Sequence, residues 1–155
     1  MKQKAYVQVV YNEAHSDMPD LPPYAVGWDG ITIASSAVGG FIGEALCSPT
    51  QRVHTEKLFD LARSSSGRFV DIFSGNGPVA NSDGRVLFLE HDYFPDVKVL
   101  LQADEFYRFS SWAKQIEALG FPNEKADFPM LEFEYIADGP SSEHDFLVAL
   151  AGSHT

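Results

Sequence analysis

Three short apolar runs lie within thirty-five residues of one another, and their spacing is the strongest constraint on the fold. They are "RFVDIFS" (Arg68–Ser74), "RVLFLEH" (Arg85–His91) and "DVKVLLQ" (Asp96–Gln102). Each is rich in β-branched or aromatic residues and reads as a strand. The connections are "GNGPVANSDG" (Gly75–Gly84) and "DYFP" (Asp92–Pro95), both full of turn residues. Successive strands joined by short turns pair antiparallel, because a parallel crossover needs a longer connection. The first two runs are expected to form a hairpin, with Gly75–Gly84 as turn throughout.

The other elements fit around this centre. "KAYVQVVY" (Lys4–Tyr11) reads as a strand, and "SDMPDLPPY" (Ser16–Tyr24) with its three prolines as a loop. A second strand is expected near Gly30–Ala34, while the glycines of "AVGGFIGEALC" argue against a long helix there. Ser48, Pro49 and Gln51 form a helix start of the capping-box kind. A helix over Pro49–Ser64 follows, with Val53, His54, Leu58, Leu61 and Ala62 expected on its apolar face. Phe106, Phe109, Trp112, Ala113, Ile116 and Leu119 repeat at three and four and predict a helix over Asp104–Leu119. Gly120 is placed to end it, with Phe121 and Pro122 beyond. "MLEFEYIA" (Met130–Ala137) alternates as a strand, and Ser141 or Ser142 caps a last helix. The class is α+β: a single domain over residues 1–155, with two or three helices on one face of a mainly antiparallel sheet.

Charge narrows the partners. The formal charge is −11 and the sequence pI about 4.7. Residues 1–77 carry 8 acids and 6 bases, whereas residues 78–155 carry 14 acids and 5 bases. Such a balance opposes direct binding to nucleic-acid phosphates, which takes clustered Lys and Arg. With one cysteine, Cys47, no internal disulfide can form. The N-terminal "MKQKAYVQVVYNEA" is too short and polar for a signal segment, and no apolar run reaches membrane-span length. A soluble, cytoplasmic protein is the expectation.

Signatures of chemistry are weak. "GNGPVA" (Gly75–Ala80) has the spacing of a dinucleotide loop, but a turn and a strand follow it where a helix is required. His15, His54, His91, His144 and His154 show no metal-ligand spacing, and a metal needs three or four converging groups. Cys47, beside a helix start, is read as a small core residue ahead of a nucleophile. No catalytic residue, metal or cofactor is expected. The acids are the conspicuous feature. In "LEFEYIADGPSSEHD", Glu132 and Glu134 share the strand face opposite Leu131, Phe133 and Tyr135, so they project away from the core, with Asp138, Glu143 and Asp145 downstream. "FLEHDYFPD" adds Glu90, Asp92 and Asp96 around Tyr93 and Phe94.

A small, acidic α+β chain with exposed acid–aromatic stretches such as "LEFEYIAD" and "FLEHDYFPD" resembles the immunity proteins of bacterial toxin–immunity systems, such as those of contact-dependent growth inhibition. The resemblance implies a tight complex with a co-produced toxin, commonly a basic nuclease. Acids of the inhibitor pair there with Lys and Arg that would otherwise hold nucleic acid, and aromatics anchor the interface. The partner-binding candidates are then Glu132, Glu134, Asp138, Glu143, Asp145, Glu90, Asp92, Tyr93, Phe94 and Asp96. Two other readings compete. One is a small enzyme or ligand-binding domain without a recognised motif. The other is a structural or assembly protein, including a phage-encoded inhibitor of a host nuclease.

Overall fold

The computed structural model describes residues 3–11, 24–27, 32–65, 67–119 and 129–152. In chain order these form β1 (Gln3–Tyr11), β2 (Tyr24–Gly27), α1 (Ile33–Phe41), α2 (Pro49–Arg63), β3 (Val70–Ser74), β4 (Pro78–Ser82), β5 (Val86–His91), β6 (Val99–Gln102), α3 (Glu105–Leu119), β7 (Leu131–Tyr135), β8 (Ala137–Asp138) and α4 (Pro140–Gly152). The strands make two antiparallel sheets, ordered β2-β1-β7 and β3-β4-β5-β6-β8. The class is α+β with antiparallel sheets, as the strand spacing indicates.

The alternation of each strand decides which face is covered. On β5, Leu87 and Leu89 enter the main core, and on β7 so do Leu131, Phe133 and Tyr135. Helices α1, α2 and α3 fill the same core with Val38 and Phe41, Phe59 and Ala62, and Phe106, Phe109, Trp112 and Ile116. Phe59 and Phe106 stack with centroids 4.1 Å apart, and Phe109 meets Phe133 edge-on at 5.7 Å. These are geometries that aromatic quadrupoles favour. Phe88 points the other way. It stacks on Phe146 of α4 at 4.3 Å, and Phe69 meets Phe146 edge-on at 4.9 Å. Helices α1 and α2 therefore cover one face of the five-stranded sheet, α3 packs on β7, and α4 covers part of the five-stranded sheet's other face.

Several local expectations are corrected. The segment read as a strand near Gly30–Ala34 is, from Ile33 on, the helix α1. Thr32 is its N-cap, its Oγ1 accepting from the Ser35 N–H at 3.0 Å. Ala34, Ala37, Val38 and Phe41 then fall at helical spacing and are buried. The helix runs on into a single π-helical stretch, Ile42–Leu46, despite its glycines.

Gly75–Gly84 is not turn throughout, for Pro78–Ser82 is the strand β4. It lies between β3 and β5, so these two do not pair directly. Pro78 is tolerated because it is the first residue of the strand. The turns contract to its two ends, where Gly77 and Gly84 take φ of +125° and +88°.

On α2 the buried positions are Arg52, Thr55, Phe59 and Ala62, whereas Val53, His54 and Leu61 are exposed. Arg52 turns this face inward by donating to the Leu46 carbonyl at 3.0 Å and pairing with Glu117. Ser48 is the N-cap but makes no side-chain cap bond, and Gln51 donates to Thr55 instead of closing a capping box. The Gly120–Pro122 helix stop and residues 16–23 of the proline-rich loop lie outside the described residues, while Tyr24 opens β2.

Candidate functional site

The turn between β5 and β6 is built by constraints at both of its ends. At the start, the Asp92 N–H donates to the Gly77 carbonyl at 2.9 Å, tying it to the β3–β4 turn. The Tyr93 N–H donates to Nδ1 of His91 at 3.1 Å. At the far end, Val97 N–H donates to the Phe94 carbonyl at 2.9 Å and Lys98 N–H to the Asp96 carbonyl at 3.0 Å. The His91 ring lies 4.8 Å from that of Phe94 and 5.8 Å from that of Tyr93. With backbone and imidazole fixing the turn, both aromatic side chains still project: Tyr93 is 66% exposed and Phe94 59%. The flanking Asp92 and Asp96 are exposed as well.

Behind the turn the sheet gathers more acids. Lys98 is only 13% exposed and donates to Glu143 of α4 at 2.6 Å. Burial pushes the Glu90 carboxyl up from its ordinary value, Lys98 pulls it down, and Asp92, Glu143 and Asp71 push it up again. Glu90 thus feels Asp92 and Glu143, and Lys98, held largely out of water, acts on both Glu90 and Glu143. Asp145 is exposed on α4. Asp138 is half-buried on β8 opposite Val99. The Tyr135 hydroxyl is pushed up by burial first and by Asp138 second.

Glu132 and Glu134 lie on β7, in the other sheet. Glu132 is exposed and Glu134 half-buried, with Leu131, Phe133 and Tyr135 buried on the opposite side. Lys4 on β1 pairs with Glu132 at 3.3 Å, and its ammonium is held up chiefly by its hydrogen bond to that carboxylate. Burial likewise raises the Glu105 carboxyl on α3, offset by Arg108 at 3.1 Å and reinforced by Glu134. The ten candidates therefore divide between the two sheets. Glu90, Asp92, Tyr93, Phe94, Asp96, Asp138, Glu143 and Asp145 sit on or beside the five-stranded sheet, and Glu132 and Glu134 on the three-stranded one.

Several residues that complete the turn are absent from the sequence reading of a partner surface. Asn76 accepts from the Tyr93 hydroxyl at 3.4 Å, and its own N–H donates to Glu44 at 3.3 Å. Gly77 takes φ of +125°, and a β-carbon there would come within 2.6 Å of the His91 ring. The Asn76-Gly77 dipeptide is a turn signal, but nothing in its spacing announces that it backs a turn fifteen residues away.

Other candidate chemistry resolves as follows. Burial pushes the Cys47 thiol up to about 11, with Arg52 offsetting it, and Cys47 packs against the core. A neutral thiol is a poor nucleophile. "GNGPVA" leads into β4, so no helix presents N–H groups to a phosphate there. No group of three or more His, Cys, Asp or Glu could hold a metal ion among the described residues. His54 and His144 are exposed, and His15 and His154 lie outside those residues. Between α3 and β7 is an open depression lined by Arg108, Ser111, Trp112, Gln115, Met130, Leu131 and Glu132. No helix among the described residues is long and apolar enough to cross a membrane. Comparison with protein-family models, with curated proteins and with solved structures returned no match.

Proposed function

We propose that the protein is an inhibitor of the immunity-protein kind, which docks on a basic partner protein through the Asp92–Asp96 turn. One observation carries this reading. Two adjacent aromatic side chains stand out in water on a turn that hydrogen bonds hold at both ends. Exposed aromatics on a preorganised segment bury large area with little further ordering cost, the usual character of interface anchors. Asp92 and Asp96 beside them, with Glu90 and Glu143 behind, give the surface a negative field. A field of that sign speeds encounter with a basic protein and repels nucleic-acid phosphate. A nuclease toxin, whose Lys and Arg would otherwise hold nucleic acid, is the partner that the resemblance to immunity proteins suggests.

The test is protection. Cells expressing a toxin encoded beside this gene survive with the native protein. They are killed when it carries Tyr93→Ala and Phe94→Ala together at equal abundance. Full protection by the folded double variant would remove the turn from the site.

A further inference from the structure

Among the bonds that hold the turn carrying Tyr93 and Phe94, one comes from a side chain to the Tyr93 backbone. His91 is the last residue of β5, opposite Pro78 of β4. Its Nδ1 accepts the Tyr93 N–H at 3.1 Å, two residues along the chain. Nδ1 is therefore the acceptor edge of the ring. The ring is packed against Gly77, where a β-carbon would lie 2.6 Å from both Cε1 and Nε2. It is also packed against the Phe94 ring at 4.8 Å. The imidazole thus has little room to turn away, and its acceptor edge stays aimed at the Tyr93 amide. The titratable and charged groups around it include Glu90 and Asp92 on either side in the chain, Tyr93, and Glu44, which reaches the adjoining turn through the Asn76 N–H.

We infer that His91 is the positioning residue of the docking surface: its Nδ1, by accepting the Tyr93 N–H, holds the Tyr93 end of the tip in one conformation. A side chain at position 91 that offers no acceptor at the place of Nδ1 leaves the Tyr93 N–H without this bond. The tip then loses the bond that orders Tyr93, and binding regains the ordering cost that preorganisation removes. This inference rests on the docking reading of the turn, but its first test does not need the partner.

The experiment measures hydrogen exchange of the Tyr93 amide by NMR in the full chain, corrected for intrinsic pH dependence. Four proteins are compared, all checked for native circular dichroism: the native chain, His91→Asn, His91→Phe and His91→Gln. The Asn Oδ1 falls where Nδ1 does and keeps an acceptor two residues before the amide. Phe keeps a ring without an acceptor, and Gln places its acceptor too far out. Protection of Tyr93 in the native protein should exceed that in His91→Phe and His91→Gln about tenfold, the worth of roughly one hydrogen bond. It should be kept in His91→Asn. Equal protection in His91→Phe, or its loss in His91→Asn, overturns the inference. The same variants are then assayed for protection against the toxin. If Tyr93 exchange follows His91 as stated while every variant protects cells fully, the docking reading fails and the positioning role stands.

Discussion

Two stretches of this chain look alike in sequence and differ in place. "LEFEYIAD" and "FLEHDYFPD" both mix acids with aromatics. In the first, the aromatics Phe133 and Tyr135 are buried, and the carboxylate of Glu132 pairs with Lys4 on the neighbouring strand. In the second, Tyr93 and Phe94 stand in solvent with Asp92 and Asp96 exposed beside them, and Glu90 feels the largely buried Lys98. The difference comes from backbone position. A strand alternates, so its aromatics on one face join the core while its acids meet a cross-strand partner. A turn between strands has no inner face to offer, and its side chains project unless the turn folds back. Similar composition therefore gives a packing element at β7 and an exposed aromatic tip at the β5–β6 turn.

Mutations should separate the two by kind of effect. The largest is expected beneath β7. Trp112 is buried on α3, and its Nε1 donates to the Pro129 carbonyl at 2.7 Å just before that strand. Trp112→Ala should cost about 3–5 kcal/mol in denaturant unfolding. A loss under about 1 kcal/mol would mean that this region tolerates repacking and is less of a core than its burial implies. Next comes the turn. Tyr93→Ala with Phe94→Ala should weaken partner binding by about 2 kcal/mol or more, roughly thirtyfold, and shift stability by less than about 0.5 kcal/mol. The reverse pattern, lost stability with intact affinity, would erase the contrast between the two regions.

Smaller effects sharpen it. Asp92→Lys with Asp96→Lys should slow association about tenfold at low salt and flatten its salt dependence. Glu132→Lys with Glu134→Lys should slow association less, because Glu132 is already paired within the fold. Equal slowing by both pairs would extend the recognition surface across both sheets.

Glu90 gives a pH test. Its carboxyl is raised by burial first, so the folded state binds its proton more tightly than the unfolded state. The stability this contributes is present at acid pH and lost as pH rises through the carboxylate range. Glu90→Gln should then be at least as stable as the native protein at neutral pH, and the two should converge on acidification; thermal unfolding across that range checks the sign. At the bottom of the scale, Cys47→Ala and His144→Ala should leave binding intact, and loss of affinity in either folded variant would point to a role in chemistry.

Much of the framework is legible in the chain. The stripe Phe106–Phe109–Trp112–Ala113–Ile116 gave α3 because a period of 3.6 leaves one apolar face whatever surrounds it. The alternation of "LEFEY" likewise placed Glu132 and Glu134 outside. The misreadings share a cause. "ITIA" is strand-like by propensity, yet Thr32 caps a helix and the apolar residues after it face the sheet. "PVANS" is turn-like by propensity, yet two neighbouring strands supply its hydrogen bonds. Local preference is worth only tenths of a kcal/mol per residue to about one, so tertiary partners override it.

By itself the sequence determined the α+β class, the antiparallel pairing, the acidic field and the aromatics of "DYFP". Each follows from periodicity, turn length or charge count, which need no knowledge of neighbours. Only the tertiary structure decided which acids share a surface. It placed Glu90 and Glu143 around Lys98, left Glu132 beside Lys4 in the other sheet, and set His91 against Gly77 with its Nδ1 on the Tyr93 amide. These groups are brought together by strand register and helix packing, and a one-residue slip in register would turn each strand's set of side chains to the opposite face.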